Sequence, residues 1–309
     1  MSNNYGKIFT LKDCEDSCVF KVMLSNDYTD VEDLSKIIKD TSNLYSENET
    51  DEIILINEDK PLFYYLLNKK IGDFFELRLT NDNNVVKYEV IDVQFDKTYK
   101  LICTLKDLGF DGLIHMTELK NFENIVNCGF LYPRKYLIEN KIKFSDSANN
   151  EVLNRTEEFV KSCCRFYYYY KTPTYYSANY NTPIILVFDE KLLYRKRGVF
   201  FSDKNACQSS WTNNIDKALN FDWDGIFERV PISKSKFYNY KEPYDDIKQK
   251  IKTVRNAEIL LKESVSIEFI KQIIVKDFNT FECIKKFCDK NLLNKVKVSK
   301  EEFFDDPIL

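Results

Sequence analysis

The 309-residue sequence predicts an α+β protein in two units, a small β-rich one over residues 1–96 and a larger one of strands and helices over residues 101–309. Three observations predict this. The chain is longer than the roughly 250–300 residues at which single hydrophobic cores usually stop growing. Short strand signals crowd its first third, whereas helix-period segments are mixed with strands beyond residue 100. Charge is also divided, with 10 Lys and Arg against 20 Asp and Glu in residues 1–96 and 35 against 29 in the remainder. An acidic front joined to a basic back predicts two different partners, the basic half being the one suited to a polyanion.

The composition is 44% hydrophobic and 15% aromatic with only 7 Gly and 7 Pro, which predicts packed cores and excludes a low-complexity chain. No apolar run approaches the roughly 18–20 residues that span a membrane, and the start carries no basic run followed by an apolar stretch. The expectation is a cytoplasmic protein with no membrane partner. Nine cysteines, an odd number with no CxxC pair, read as reduced thiols; the single histidine leaves only thiolate-rich zinc ligand sets, and the spacings are wrong for those, so no metal is expected.

In the first unit, Ile53 to Asn57 is a buried-strand signal and Pro61 stands at the first position of a short helix over 61–68. Strands follow at Phe74–Leu79 and Val85–Val93, separated by the turn residues Asn81-Asp82-Asn83-Asn84. The run Lys60-Pro61-Leu62 through Leu66-Leu67 to Lys69-Lys70-Ile71-Gly72-Asp73, followed by Tyr88-Glu89-Val90-Ile91, resembles the C-terminal domain of the Gre transcript-cleavage factors. Phe9-Thr10-Leu11-Lys12-Asp13 is similar to the strand that opens that domain, and residues 27–52 read as an insertion. The resemblance implies an FKBP-like β-rich module that docks on RNA polymerase. The Gre coiled coil with its acidic tip is absent, so transcript cleavage is not carried over.

In the second unit, residues 101–108 read as a helix ended by Gly109, and Leu113-Ile114 as a short strand leading into His115-Met116-Thr117. Thr117 is suited to cap the helix beyond, in which Leu119, Phe122, Ile125 and Val126 share a face and which Gly129 ends. A histidine at a strand end before a helix N-terminus can hold a ligand's hydroxyls and phosphates, although a lone histidine is more often structural. Glu258 lies in Ala-Glu-Ile-Leu-Leu, where alternation sets it opposite Ala257 and Ile259. That pattern alone predicts a solvent-facing strand residue.

Five ordered segments resemble the DarT family of DNA-modifying ADP-ribosyltransferases. They are His115-Met116-Thr117 with its helix and Gly129-Phe130-Leu131, then Ser145 to Arg155, Phe166 to Pro173, Phe201-Ser202-Asp203-Lys204-Asn205-Ala206, and Arg255 to Leu260. The resemblance implies a split β-sheet of the ADP-ribosyltransferase type with helices, and NAD as the substrate that is cleaved. It further implies single-stranded DNA as acceptor in a toxin or phage-defence setting, with a macrodomain-type antitoxin as counterpart. Cleaving the glycosidic bond of NAD builds oxocarbenium charge on the ribose, so a carboxylate beside that ring is the expected stabiliser. The resemblance assigns this role to Glu258, with Arg155 also catalytic. His115, Thr117, Asn121, Tyr168 and Lys171 fall to NAD, with Tyr168 or a neighbour stacking on nicotinamide. Asp203, Asn205 and Ser209 belong to the loop that selects the acceptor. Tyr167 to Tyr170 read equally as a plain strand, and Arg155 and Lys171 as solvated charges.

The sequence departs from the family in three places: Arg155-Thr156 where two arginines are common, Lys171 for an arginine, which loses bidentate phosphate recognition, and Lys204 for a glycine. These departures keep open RNA or a protein such as RNA polymerase as the substrate. A polymerase-binding regulator with an inactive transferase half is the third reading.

Overall fold

The structure, a computed structural model, describes residues 6–15, 17–24, 53–56, 62, 66, 69–78, 85–145, 154–170, 172–173, 180–194, 198–208 and 210–303. The chain divides into two compact units, residues 1–100 and 101–309.

In the first unit, β1 (Lys7–Asp13), β2 (Val19–Leu24), β3 (Ile53–Ile56), β4 (Phe74–Arg78) and β5 (Val85–Phe95) form a sheet in the order β3-β2-β1-β5-β4. β2 and β3 run parallel and the other neighbours antiparallel. Apolar residues at every second position, Phe9 and Leu11, Phe20 and Val22, Phe75 and Leu77, Tyr88 and Val90, fall on one face and form the core. Leu62 and Leu66, helical and buried, join it. The strands expected at 53, 74 and 85 are present, β5 running on to Phe95. Pro61, the turn Asn81–Asn84 and the insertion 27–52 lie outside the described residues.

α1 (Lys97–Asp107) begins four residues before the expected start, because Asp96 caps it by accepting the Tyr99 N–H at 2.8 Å. Its Leu101, Ile102 and Leu105 are buried, and the chain turns at Gly109 with φ 91°. The second unit then builds β6 (Leu113–Glu118), β7 (Phe130–Leu131), β8 (Cys164–Tyr167), β9 (Pro183–Phe188), β10 (Val199–Phe201), β11 (Glu258–Leu261), β12 (Val265–Ser266), β13 (Ile270–Val275) and β14 (Val296–Val298). β7 and β12 pair with each other. Among the described residues the rest form a mixed sheet in the order β10-β11-β8-β6-β9-β13-β14, antiparallel except between β13 and β14.

One junction in this sheet positions the site. β6 pairs with β9 from Leu113 to Glu118, but with β8 only at Ile114–Tyr167, so the sheet opens between β6 and β8. Phe166, Leu186, Phe188, Ile259 and Ile273 pack on the face covered by α2 (Leu119–Cys128) through Phe122 and Ile125. Gly112 feeds β6 at φ 138°, where a Cβ would lie 2.4 Å from the Phe188 carbonyl oxygen, so only glycine fits this approach.

Two expectations need correction. β6 does not stop at Ile114 but continues to Glu118, placing His115 within the strand and burying Thr117 there. Thr117 therefore does not cap α2. The ladder with β9 wins over the cap, and the Glu118 carboxylate instead accepts the backbone N–H groups of Asn181 and Thr182. Likewise the strand expected from Phe166 to Pro173 ends at Tyr167.

Candidate active site

β11 lies between β10 and β8, with partners on both edges and cover on both faces. Ile259 and Leu261 enter the main core, while Leu260 packs with Val160, Cys163 and Ala206 on the other side. Glu258 is consequently 0% exposed rather than solvent-facing. A carboxylate can be buried only if its acceptors are filled. Arg165 on β8 fills them: its Nε donates to Oε1 at 3.1 Å, and its Nη2 to Oε1 at 2.6 Å and Oε2 at 2.9 Å. The Ala206 N–H adds 2.7 Å to Oε2. The register explains the meeting, since Glu258 opposes Tyr167 and Arg165 lies two residues away on the same face. Burial alone would favour the neutral guanidine, but the charge and hydrogen bonds of Glu258, with Tyr167 adding to them, together outweigh it and raise the Arg165 pKa.

Arg165 was not among the residues singled out from the sequence, yet it connects the site. Its side chain is 28% exposed and borders a cavity of about 200 Å³ that is lined also by His115, Thr117, Asn121, Ile125, Phe130 and Tyr180. Its carbonyl oxygen lies 3.0 Å from His115 Nδ1. A carbonyl can only accept, so Nδ1 carries the proton and Nε2 is left as an acceptor. Burial lowers the His115 pKa, the positive Arg165 adding to it, so the ring is neutral around pH 7. Asn121 exchanges two hydrogen bonds with the Ser145 backbone, at 2.7 and 2.8 Å, and Asn124 donates to Lys143 at 3.0 Å. These contacts pin residues 143–145 to α2 as one wall of the cavity.

The loop with Asp203 and Asn205 follows β10. Ser202 exchanges backbone hydrogen bonds with Glu258, and Asn205 Oδ1 accepts from the Cys207 N–H at 3.0 Å and faces Arg165 Nη2 at 3.4 Å. Asp203 accepts from Ser210. Trp211, Phe159 and Phe200 pack behind this loop. The structure thus brings Asn205 and Glu258 together around Arg165, with His115 and Thr117 in the adjoining cavity. It does not bring Tyr168 there. That ring is 1% exposed, set edge-on to Trp223 and packed near Phe110 and Phe227, so it has no face for nicotinamide. Arg155 is exposed, and Lys171 and Ser209 lie outside the described residues.

Residues 114–304 match the family described as "ssDNA thymidine ADP-ribosyltransferase, DarT". The chain belongs to the DarT family. It is accordingly an NAD-dependent ADP-ribosyltransferase of the kind that acts on thymidine in single-stranded DNA. Similar solved structures include Thermus sp. 2.9 DarT in complex with ADP-ribosylated ssDNA, with 15% identity, 62% of this chain and 95% of that chain covered, and a TM-score of 0.48. The same protein in complex with NAD+ matches at 15% identity, 62% and 96% coverage and 0.46. Thermosipho africanus DarTG in complex with ADP-ribose matches at 16%, 62% and 50%, and 0.46. No curated protein matches the sequence. The DarT match begins within β6 and leaves the first unit outside it. No group of His, Cys, Asp and Glu able to hold a metal occurs among the described residues, and no described helix is long and apolar enough to cross a membrane.

Proposed function

We propose that Glu258 stabilises the ribose oxocarbenium charge while ADP-ribose passes from NAD to a thymine in single-stranded DNA. The observation that carries this reading is a fully buried carboxylate, ringed by charge-assisted donors, whose partner Arg165 borders a cavity that holds a neutral histidine. The bond from ribose C1′ to nicotinamide breaks and nicotinamide leaves as a neutral molecule with the electron pair. The thymine base supplies the pair for the new bond and releases a proton to solvent. His115 Nε2 and the Thr117 hydroxyl take ribose hydroxyls, and Asn121 shapes the wall. Arg155 and Lys171 serve the phosphates, and Asp203, Asn205 and Ser209 border the incoming base.

The same proposal extends to the setting. The enzyme acts as a cytoplasmic toxin or phage-defence effector, a macrodomain-type antitoxin removes its mark, and the Gre-like first unit, residues 1–96, carries it to RNA polymerase. Labelled NAD offered with thymidine-containing and thymidine-free oligonucleotides, RNA and polymerase tests it. Label confined to thymidine-containing single strands is expected. Label on RNA or on protein side chains would replace the DNA reading.

A further inference from the structure

We propose that Arg165 is the positioning residue of Glu258, a guanidinium fork that holds the carboxylate in place and yields one of its acceptor positions to the substrate. This rests on Glu258 being the stabilising carboxylate.

The argument begins with occupancy. A carboxylate offers about four lone-pair positions. Here Oε1 takes Nε and Nη2 of Arg165, and Oε2 takes Nη2 and the Ala206 N–H, so all four are filled and the carboxylate has no exposed surface. A ribose hydroxyl can bond Glu258 only by displacing one donor. The donor that can yield is Nη2, because it spans both oxygens. Sliding onto Oε1 frees a position on Oε2, while Nε and the Ala206 N–H keep each oxygen anchored. The shift needs no rotamer change in Glu258, and the negative charge stays partnered throughout.

A lysine could not do this. Its ammonium is one point of charge on a flexible stem, whereas the planar fork fixes two directions at once. Arg165 is also placed to sense the substrate, since its partly exposed side chain borders the cavity while its carbonyl holds the His115 ring. One residue therefore sets both flanks of the reacting ribose. The competing account is that Arg165 only offsets a buried charge and takes no part in turnover.

The test measures NAD cleavage and transfer to a thymidine-containing oligonucleotide by the full-length chain and its Arg165→Lys and Arg165→Ala variants. Arg165→Lys is expected to lower kcat about 10- to 100-fold with KM for NAD within about three-fold, the pattern of an interaction that matters in the transition state. Arg165→Ala is expected to lose about 10³-fold and to recover at least about tenfold on adding ethylguanidinium, but not ethylamine. A raised KM with kcat retained would overturn the proposal by showing that Arg165 binds the dinucleotide. So would wild-type kcat in Arg165→Lys, or loss in Arg165→Ala that ethylguanidinium leaves unchanged. If Arg165→Ala does not fold, Arg165→Lys decides alone. NAD cleavage by the parent without marking of DNA would overturn the DNA reading and leave the Arg165 comparison standing, while a parent that leaves NAD intact would overturn both.

Discussion

The interiors of the two units differ in kind. Among the described residues, the first unit buries apolar side chains with Thr10 as the polar member, whereas the second also buries Thr117, Glu118, Glu190, Ser202, Arg255 and Glu258. Burying a charge is costly unless it is paired and hydrogen-bonded, so each buried carboxylate marks a place where something outweighs that cost. Glu190 and Glu258 show two such reasons. Glu190 is met by Lys106 from α1 at 2.6 Å and Lys271 from β13 at 3.4 Å, both flexible and partly exposed, and it ties a helix to the sheet. Glu258 is met by a rigid fork and a backbone N–H beside a cavity. The first arrangement is a staple, and the second holds a charge in a fixed direction, as the proposed chemistry requires.

The largest effect expected from this contrast is on Glu258. Glu258→Gln keeps one oxygen but turns the other into a donor that faces the Arg165 fork or the Ala206 N–H, and it loses the charge, so transfer should fall by about 10²–10³-fold or more and stability by about 1–3 kcal/mol. Glu258→Ala should cost more, about 3 kcal/mol or above, because it strands Arg165. Transfer by Glu258→Gln within a few-fold of the parent, measured with labelled NAD, would remove Glu258 from the chemistry. Glu190→Gln should lower stability by a similar amount, about 1–3 kcal/mol, but leave kcat unchanged. Burial alone would raise the Glu190 pKa, but Lys106 and Lys271 hold it below the ordinary value. Its stabilising contribution is therefore present above the unfolded pKa and lost as pH falls through the folded one, so denaturation curves of Glu190→Gln and parent should converge in acid.

Much of this arrangement was legible in the sequence, and the exceptions have physical causes. Gly109 and Gly129 were readable as terminators because both adopt φ near 90° or 75°, which few other residues accept. Glu258 was readable only through the order of the motifs around it. Simple alternation set it in solvent, a rule that assumes one wet face, whereas β11 is covered on both. Thr117 has the chemistry of a cap, but the β6–β9 ladder extends past it. Tyr168 follows the strand rather than lying in it, and its ring turns into the core toward Trp223. Arg165 carried no local signal within Cys163-Cys164-Arg165-Phe166. Requiring a cation for any buried glutamate, on a strand that could neighbour it, was the reasoning that could have found it.

His115 gives a smaller and pH-dependent effect. Its depressed pKa means that the unfolded chain binds a proton before the folded one, so its contribution to stability is complete above the unfolded value near 6.5 and declines below it. The slope from one such group is at most about 1.4 kcal/mol per pH unit. His115→Gln, which can still bond the Arg165 carbonyl, should flatten the stability profile below about pH 6.5 and raise KM for NAD about tenfold, as expected if the ring holds a ribose hydroxyl in ground and transition states alike. A pH-stability profile identical to the parent's would show that His115 is not the buried titrating group.

The smallest effect is expected from removing the first unit. Each unit has its own apolar core, Phe9, Val22, Leu77 and Tyr88 in one and Phe122, Phe166, Phe188 and Ile259 in the other. The cut must respect α1, because Leu101, Ile102 and Leu105 belong to the second core while the capping Asp96 precedes the helix. A chain beginning at residue 96 keeps that cap, whereas one beginning at residue 101 loses the first turn and with it about 1 kcal/mol of helix stability. Residues 96–309 should therefore fold cooperatively and transfer ADP-ribose to a free oligonucleotide with kcat within about two-fold of the full chain, since Glu258, Arg165, His115 and Thr117 all lie in the second unit. On DNA opened by a transcribing polymerase, the Gre-like reading requires the full chain to be faster. Equal rates on both substrates would leave the first unit without a targeting role, and an insoluble fragment would show that the contrast between the two interiors conceals a shared core.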